Sequence, residues 1–129
     1  MMHNLLKAAR DASERAYVPY SHYPVGAALL GSNGVIYTGC NVENAAFPAT
    51  ICGERTALVK AVSEGQQEFA AIAVVTQNGG SPCGVCRQML FEFAPGLRVI
   101  TANMDLDVVI DSRLDELLLH GFGPKSLRP

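Results

Sequence analysis

A chain of 129 residues, 49% of them apolar, is long enough for one packed domain. Its formal net charge of -2 and its lack of a Lys/Arg cluster argue against a nucleic-acid partner, because proteins that grip a polynucleotide carry a basic face. The sequence has no apolar run of the ~20 residues that span a membrane and no secretory signal at its start, so we expect a cytoplasmic protein without a membrane partner.

The first half of the chain predicts a helix followed by a hairpin. Apolar residues at helical spacing over 4–17 predict an amphipathic helix that ends before Pro19. Two β-prone runs, 25–30 and 35–40, flank an Asn-Gly pair, which is typical of a hairpin turn. A polar loop of small residues is expected over 41–50.

The second half of the chain alternates predicted helices and buried strands. In chain order they are a helix over 54–64, a strand over 71–76, a helix over 83–93, strands over 98–102 and 108–110, and a helix over 112–118. Ser112 is the predicted N-cap of the last helix. This order predicts an α/β domain over residues 1–129, with helices packed on a mixed, roughly five-stranded sheet.

Three of the four cysteines lie at predicted helix starts. Cys52 stands just before the helix over 54–64, and Pro82-Cys83-Gly84-Val85-Cys86 opens the helix over 83–93. Unpaired N–H groups and the helix dipole lower the pKa of a thiol there, and the thiolate is the form that binds zinc. We therefore expect Cys52, Cys83 and Cys86 to hold one Zn²⁺.

Three cysteine ligands would leave the fourth tetrahedral position open, which is the mark of a catalytic zinc site. Water there is acidified to a pKa of roughly 7. Glu54 would take a proton from this water and deliver protons to the substrate. A non-ligand Glu with a P-C-x-x-C segment is the general signature of zinc deaminases. Arg55 and Arg87 each follow a ligand segment and could offset the thiolate charge by hydrogen bonding to sulfur.

Other interpretations of the cysteines stay open. A single C-x-x-C also occurs as a redox pair or as half of a structural zinc site. Cys40 could close such a site as a fourth ligand, although a small buried residue at a strand end is the plainer interpretation. None of the three histidines, His3, His22 and His120, has ligand spacing to a cysteine.

Stretches along nearly the whole chain carry a resemblance to a known family. They are residues 20–29, 39–46, 54–57, 60–65, 81–84, 86–88 and 122–124. On these stretches the chain resembles the small homotetrameric cytidine deaminases. The resemblance implies a three-layer α-β-α fold, one zinc ion per subunit, and active sites at subunit interfaces. It implies hydrolytic deamination of cytidine and 2′-deoxycytidine to the uridine nucleosides, with release of ammonia, in pyrimidine salvage.

The resemblance also implies residue roles beyond the zinc ligands and Glu54. Asn41 and Glu43 would hydrogen-bond the ribose hydroxyls, for which a loop-capping pair is the alternative. The backbone N–H of Gly53 would face the pyrimidine carbonyl, and Tyr23 would lie near the substrate. Phe122 would pack on the base bound by a neighbouring subunit, where the alternative is a C-terminal core residue.

The sequence departs from the family pattern at several positions. Gly53 stands where the family mostly has Ala, Tyr23 replaces a Phe, Phe47 replaces a Tyr, and Leu119 replaces a Pro. Loss of the methyl group at Gly53 could widen the pocket. One rival hypothesis is therefore a deaminase of an N4-substituted cytosine nucleoside. A second rival is a non-catalytic domain in which Cys40 closes a structural zinc site.

Overall fold

The computed structural model describes residues 2–127, so the predicted domain bounds of 1–129 extend beyond the described residues at both ends. The described elements, in chain order, are α1 (Met2–Ser13), β1 (Gly26–Gly31), β2 (Ile36–Cys40), a 3₁₀ turn (Phe47–Ala49), α2 (Gly53–Ser63), β3 (Phe69–Val75), α3 (Gly84–Phe93), β4 (Arg98–Ala102), β5 (Val108–Arg113), α4 (Leu114–Leu117) and α5 (Pro124–Leu127). None of these helices is long and apolar enough to cross a membrane.

The five strands form one mixed sheet in the order β2-β1-β3-β4-β5, which confirms the predicted sheet. Strand β1 pairs antiparallel with both β2 and β3, and β4 pairs antiparallel with β5. Strands β3 and β4 are parallel, with Ala71 opposite Arg98 and Val75 opposite Ala102. A parallel pair needs a crossover connection, and α3 supplies it.

Helices cover both faces of the sheet, so its central strands are apolar on both sides. Along β3, Ile72 and Val74 belong to the core under α2 and α3, whereas Ala73 and Val75 belong to the core under α1. Strands buried on both faces lose the polar alternation of a half-exposed strand. This burial explains the uninterrupted apolar run in the sequence, and it confirms the three-layer α-β-α architecture.

The first helix is shorter than its apolar spacing predicts. It ends at Ser13, so the prediction of helix through residue 17 is wrong in its last turn. The backbone N–H of Tyr17 instead donates to the carbonyl of Asn41 at 2.9 Å, and the N–H of Glu43 donates to the carbonyl of Tyr17 at 2.9 Å. These long-range bonds draw the chain away from the helix axis toward the loop after β2.

The prediction of Ser112 as an N-cap is also wrong. Ser112 lies in β5 opposite Val99, and Arg113 is the N-cap of α4. The carboxylate of Glu116 accepts the backbone N–H of Arg113 at 3.0 Å and the hydroxyl of Ser112 at 3.2 Å. Glu116 thus satisfies the helix start, and Ser112 remains free to extend the strand.

Helix α2 packs directly on the backbone of β2 at Gly39. A Cβ atom placed on Gly39 would lie 2.5 Å from the backbone nitrogen of Ala57 and 2.6 Å from the carbonyl oxygen of Gly53. Both are main-chain atoms, which cannot move aside as a flexible side chain would. The missing side chain therefore sets how closely the start of α2 approaches the sheet.

We expect Gly39→Ala to destabilise the fold by about 1–3 kcal/mol, since overpacking of this kind forces backbone shifts. Urea denaturation followed by circular dichroism measures the change in the free energy of unfolding. Gly84→Ala is the matched control, because nothing lies within 4 Å of a Cβ there. Equal stability of wild type and Gly39→Ala would show that α2 can shift without cost.

Candidate active site

Two helix N-termini bring the predicted cysteine ligands together. Cys52 is the N-cap of α2 and Cys83 is the N-cap of α3, both with extended backbone, while Cys86 lies in the first turn of α3. Neither capping cysteine makes a side-chain bond to its own helix start. The sulfurs are therefore left facing one another beside the unpaired N–H groups of both helices.

The three sulfurs have the spacing of a zinc ligand set. The Sγ atoms of Cys52 and Cys83 are 3.9 Å apart, those of Cys83 and Cys86 are 3.2 Å apart, and all three lie within 4.8 Å of one another. Tetrahedral zinc with Zn–S bonds of about 2.3 Å separates its sulfur ligands by roughly 3.8 Å. Cys40 lies outside this cluster, which among residues 2–127 contains three cysteines and no histidine.

The electrostatics of the cluster also suit a cation. The neighbouring thiol of Cys86, together with Arg55, lowers the pKa of Cys52 to about 5. The proximity of Cys52 raises the pKa of Cys86, and burial raises it further. Neighbouring thiolates repel one another, so a divalent cation is needed for all three to ionise together. The donor set therefore fits Zn²⁺.

Glu54 places a buried carboxyl group beside these sulfurs. It is the second residue of α2, and 5% of its surface is exposed. Burial raises the pKa of Glu54 to about 7, and negative charge on Cys52 acts in the same direction. A carboxyl group with this pKa can both accept and release a proton near neutral pH.

Arg55 lies where the sequence predicts it. One guanidinium nitrogen, Nη2, donates to the sulfur of Cys52 at 3.5 Å and to the carbonyl of Thr50 at 3.0 Å. A hydrogen bond to a thiolate holds the sulfur in place and spreads its negative charge. Arg55 thus ties the segment before α2 to the helix start.

Among the described residues, Arg87 hydrogen-bonds oxygen atoms and not the sulfurs that the sequence suggests. Its described hydrogen bonds reach oxygen atoms: Nε donates to the carbonyl of Pro82 at 2.8 Å, Nη1 to the carbonyl of Leu117 at 2.8 Å, and Nη2 to the hydroxyl of Ser81. These acceptors lie on the turn before α3 and at the end of α4, and together they determine the position of the Arg87 side chain. Arg87 therefore holds the turn that carries Cys83.

A cleft of about 190 Å³ opens beside the sulfurs. Its walls include Cys52, Glu54, Cys83, Tyr23 and Asn41. A second hollow lies next to it and contains Glu43. Thr50 lines both, so the two hollows adjoin.

Asn41 and Glu43 already hydrogen-bond the protein backbone. The Asn41 side chain accepts the N–H of Val25 at 2.9 Å and donates to the carbonyl of Tyr23 at 3.0 Å. Oε1 of Glu43 accepts the N–H groups of Tyr20 and Ser21, both at 3.1 Å. Hydrogen bonds from Ser21 are the main cause that lowers the pKa of the Glu43 carboxyl. The loop-capping alternative therefore describes part of what both residues do.

Gly53 and Phe122 are not among the residues that line the cleft. A Cβ atom on Gly53 would lie 3.2 Å from the side chain of Val25 and 3.4 Å from Cα of Cys40, so it would meet the sheet. Phe122 is 57% exposed, and its carbonyl accepts the side-chain N–H of Gln88 at 2.8 Å. The structure does not bring Phe122 to the cleft of its own chain.

Sequence reasoning missed the wall formed by the turn after β3. Thr76 is 3% exposed, and its hydroxyl accepts the N–H groups of Gly79 at 2.9 Å and Gly80 at 3.2 Å. Thr76 and Gly80 both line the cleft. The available signal was the position of Thr76 at the carboxyl end of a buried strand, where α/β sheets place their ligands.

Comparisons with known proteins agree with this site. A family model described as the cytidine and deoxycytidylate deaminase zinc-binding region matches residues 1–102. The cytidine deaminase of Sporosarcina psychrophila is 47% identical over 126 residues, covering 95% of this chain and 92% of that protein. The cytidine deaminase of Halalkalibacterium halodurans is 49% identical over 121 residues, covering 92% of this chain and 91% of that protein.

Solved structures give the same result. The crystal structure of cytidine deaminase from Burkholderia pseudomallei has a TM-score of 0.90 at 45% identity, covering 95% of this chain and 99% of that chain. Cytidine deaminase from Mycobacterium tuberculosis has a TM-score of 0.83 at 38% identity, covering 95% and 97%. The chain therefore belongs to the family of the cytidine and deoxycytidylate deaminase zinc-binding region.

Proposed function

We propose that this protein catalyses the zinc-dependent hydrolytic deamination of cytidine and 2′-deoxycytidine, releasing ammonia and the corresponding uridine nucleoside. The observation that carries the proposal is a buried carboxyl group beside three clustered sulfurs in one small cleft. The relatives at 47% and 49% identity are named cytidine deaminases, which supports this substrate.

In this proposal, Cys52, Cys83 and Cys86 hold the metal and Glu54 moves the protons. Zinc with three thiolate ligands supplies a polarised water molecule as the nucleophile. The carboxylate of Glu54 takes a proton from the attacking water and delivers it to the ring nitrogen. A second proton then passes from the oxygen newly bonded to C4, through the same carboxyl group, to the amine. The C4–N bond breaks, ammonia leaves and the C4 carbonyl of the uridine product forms. Arg55 keeps Cys52 in position throughout, and the pKa of Glu54, about 7, suits both directions of transfer.

The adjoining hollows suggest how a nucleoside lies in the site. The pyrimidine would occupy the hollow with Glu54, near the backbone N–H of Gly53, and the sugar would extend past Thr50 toward Glu43. Asn41 and the second carboxylate oxygen of Glu43 would hydrogen-bond the sugar hydroxyls. A negative charge at this end disfavours a phosphate, which supports a nucleoside over a nucleotide.

The exposed ring of Phe122 supports the proposal of a homotetramer with sites at subunit interfaces. An aromatic side chain that is 57% exposed and does not line its own cleft is available to a neighbouring subunit. Three cysteines that serve as thiolate ligands also suit a reducing compartment, so we propose a cytoplasmic enzyme of pyrimidine salvage.

The two rival hypotheses find less support. A methyl group at position 53 would crowd the backbone of Cys40 and Val25, which itself lines the cleft, so the geometry favours relief of this crowding over a wider leaving-group pocket. The structural-zinc hypothesis needs Cys40 as a fourth ligand, but Cys40 lies outside the sulfur cluster.

We expect a serine at position 52, 83 or 86 to lower the zinc content well below one ion per chain, because each substitution removes one of three thiolates. Atomic emission spectroscopy on the purified variants measures the metal. Cys40→Ser is the matched control and should retain one zinc and full activity. Loss of zinc in Cys40→Ser would instead support the closed structural site.

We expect Glu54→Gln to keep the fold and one zinc per chain but to lower kcat for cytidine by about 10²–10⁴-fold or more, since the amide cannot transfer protons. The decrease in cytidine absorbance, measured with and without a chelator, follows the reaction.

Glu64→Gln is the control for this prediction, because Glu64 is an exposed residue at the other end of the same helix. A Glu54→Gln variant with wild-type kcat would contradict the proposed proton transfer. A zinc-loaded wild-type protein that leaves cytidine unchanged would contradict the proposed function itself.

A further inference from the structure

The Tyr23 hydroxyl bonds the turn after β3, in which Thr76 and Gly80 line the same cleft as Tyr23. It donates to Oδ1 of Asn78 at 2.5 Å, although 55 residues separate the two in the chain. Tyr23 lies on the segment between α1 and β1, and Asn78 lies in the turn between β3 and α3. This hydrogen bond, which we call the latch, continues the antiparallel pairing of β1 and β3 three residues beyond the last paired residues, Gly26 and Val75.

Asn78 also hydrogen-bonds two residues that line the cleft. Its Oδ1 atom also accepts the backbone N–H of Gly80 at 3.2 Å and the hydroxyl of Thr76 at 3.3 Å. Gly80 touches the latch as well, because a Cβ on Gly80 would lie 3.4 Å from the Tyr23 hydroxyl. The chain then runs from Gly80 to Cys83, so the latch reaches the segment that carries a sulfur of the cluster.

The other side of the Tyr23 segment is held by Asn41. Its side chain binds the carbonyl of Tyr23 and the N–H of Val25. Asn41 thus holds the backbone of Tyr23, and Asn78 holds its hydroxyl. A side chain restrained at both ends presents its ring to the cleft before any ligand arrives, which reduces the ordering cost of binding.

We propose that Tyr23 and Asn78 are positioning residues, and that their latch sets the width of the cleft and hence the affinity for the nucleoside. The inference rests on the proposed function for the identity of the ligand. The hydroxyl is engaged by Asn78, so the latch acts through the ring of Tyr23 and through the turn at Gly80. It is made in the free protein and does not change during the reaction, so its loss weakens binding without slowing chemistry.

The test compares Tyr23→Phe in two backgrounds, using zinc-loaded protein. In the wild-type background we expect KM for cytidine to rise about two- to fivefold, in line with loss of one exposed neutral hydrogen bond, while kcat stays unchanged. In the Asn78→Ala background the same substitution should have no further effect, since the hydroxyl has already lost its acceptor. Equal effects in both backgrounds, or no effect on KM, would overturn the latch.

Two further variants separate the latch from general loosening. Asn78→Asp keeps an acceptor oxygen for the hydroxyl and should retain the wild-type KM. Tyr17→Phe removes the hydroxyl of another tyrosine, 56% exposed, near the same segment and should also leave KM unchanged. A rise in KM in Tyr17→Phe equal to that in Tyr23→Phe would contradict a specific role for Tyr23.

Hydrogen–deuterium exchange provides a readout that is independent of activity. Tyr23→Phe should speed exchange of the backbone amides over 76–83, because the N–H of Gly80 donates to the latch acceptor. Unchanged exchange in this segment would overturn the latch even if KM rose. If the wild-type protein does not deaminate cytidine, the proposed function fails, and the exchange experiment still decides whether the latch exists.

Discussion

Three sulfur atoms share one small volume only because two helices begin at the same place. Cys52 caps α2 and Cys83 caps α3, and each cap leaves its sulfur free to face the other helix. The position of α2 depends on its contact with the bare backbone of Gly39, and the position of α3 depends on the turn after β3, which Arg87 and Thr76 hold. The site is thus a product of helix placement more than of any single loop.

The same arrangement determines the charge balance of the cleft. Helix N-termini favour anions, so both ends attract thiolates, but burial at this place makes an unneutralised cluster costly. The pKa of Cys52 is lowered and that of Cys86 is raised by their proximity, and Arg55 contributes one fixed positive charge. Glu54 lies beside these sulfurs, and burial raises its pKa to about 7. The pKa of the Glu54 carboxyl and the ionisation of the cysteine sulfurs therefore depend on each other.

Local patterns predict the strands, most helix positions and the sulfur cluster, because each depends on residues close together in the chain. The run over 71–76 indicates a buried strand, and P-C-x-x-C indicates a helix start with two thiols. The early end of α1, the true cap of α4 and the acceptors of Arg87 depend on contacts 24 to 30 residues away or on competition between neighbouring elements. The roles of Asn41, Glu43, Gly53, Tyr23 and Phe122 remain predictions carried by resemblance.

Gly39 has a consequence for how this protein can evolve. Any larger residue there would displace the start of α2, and that displacement would move Cys52 and Glu54 together. Gly39, on the second strand, is thereby under the same selection as the reaction centre. A substitution at Gly39 requires a compensating change in α2, so we would expect Gly39 and the facing residues of α2 to change together during evolution.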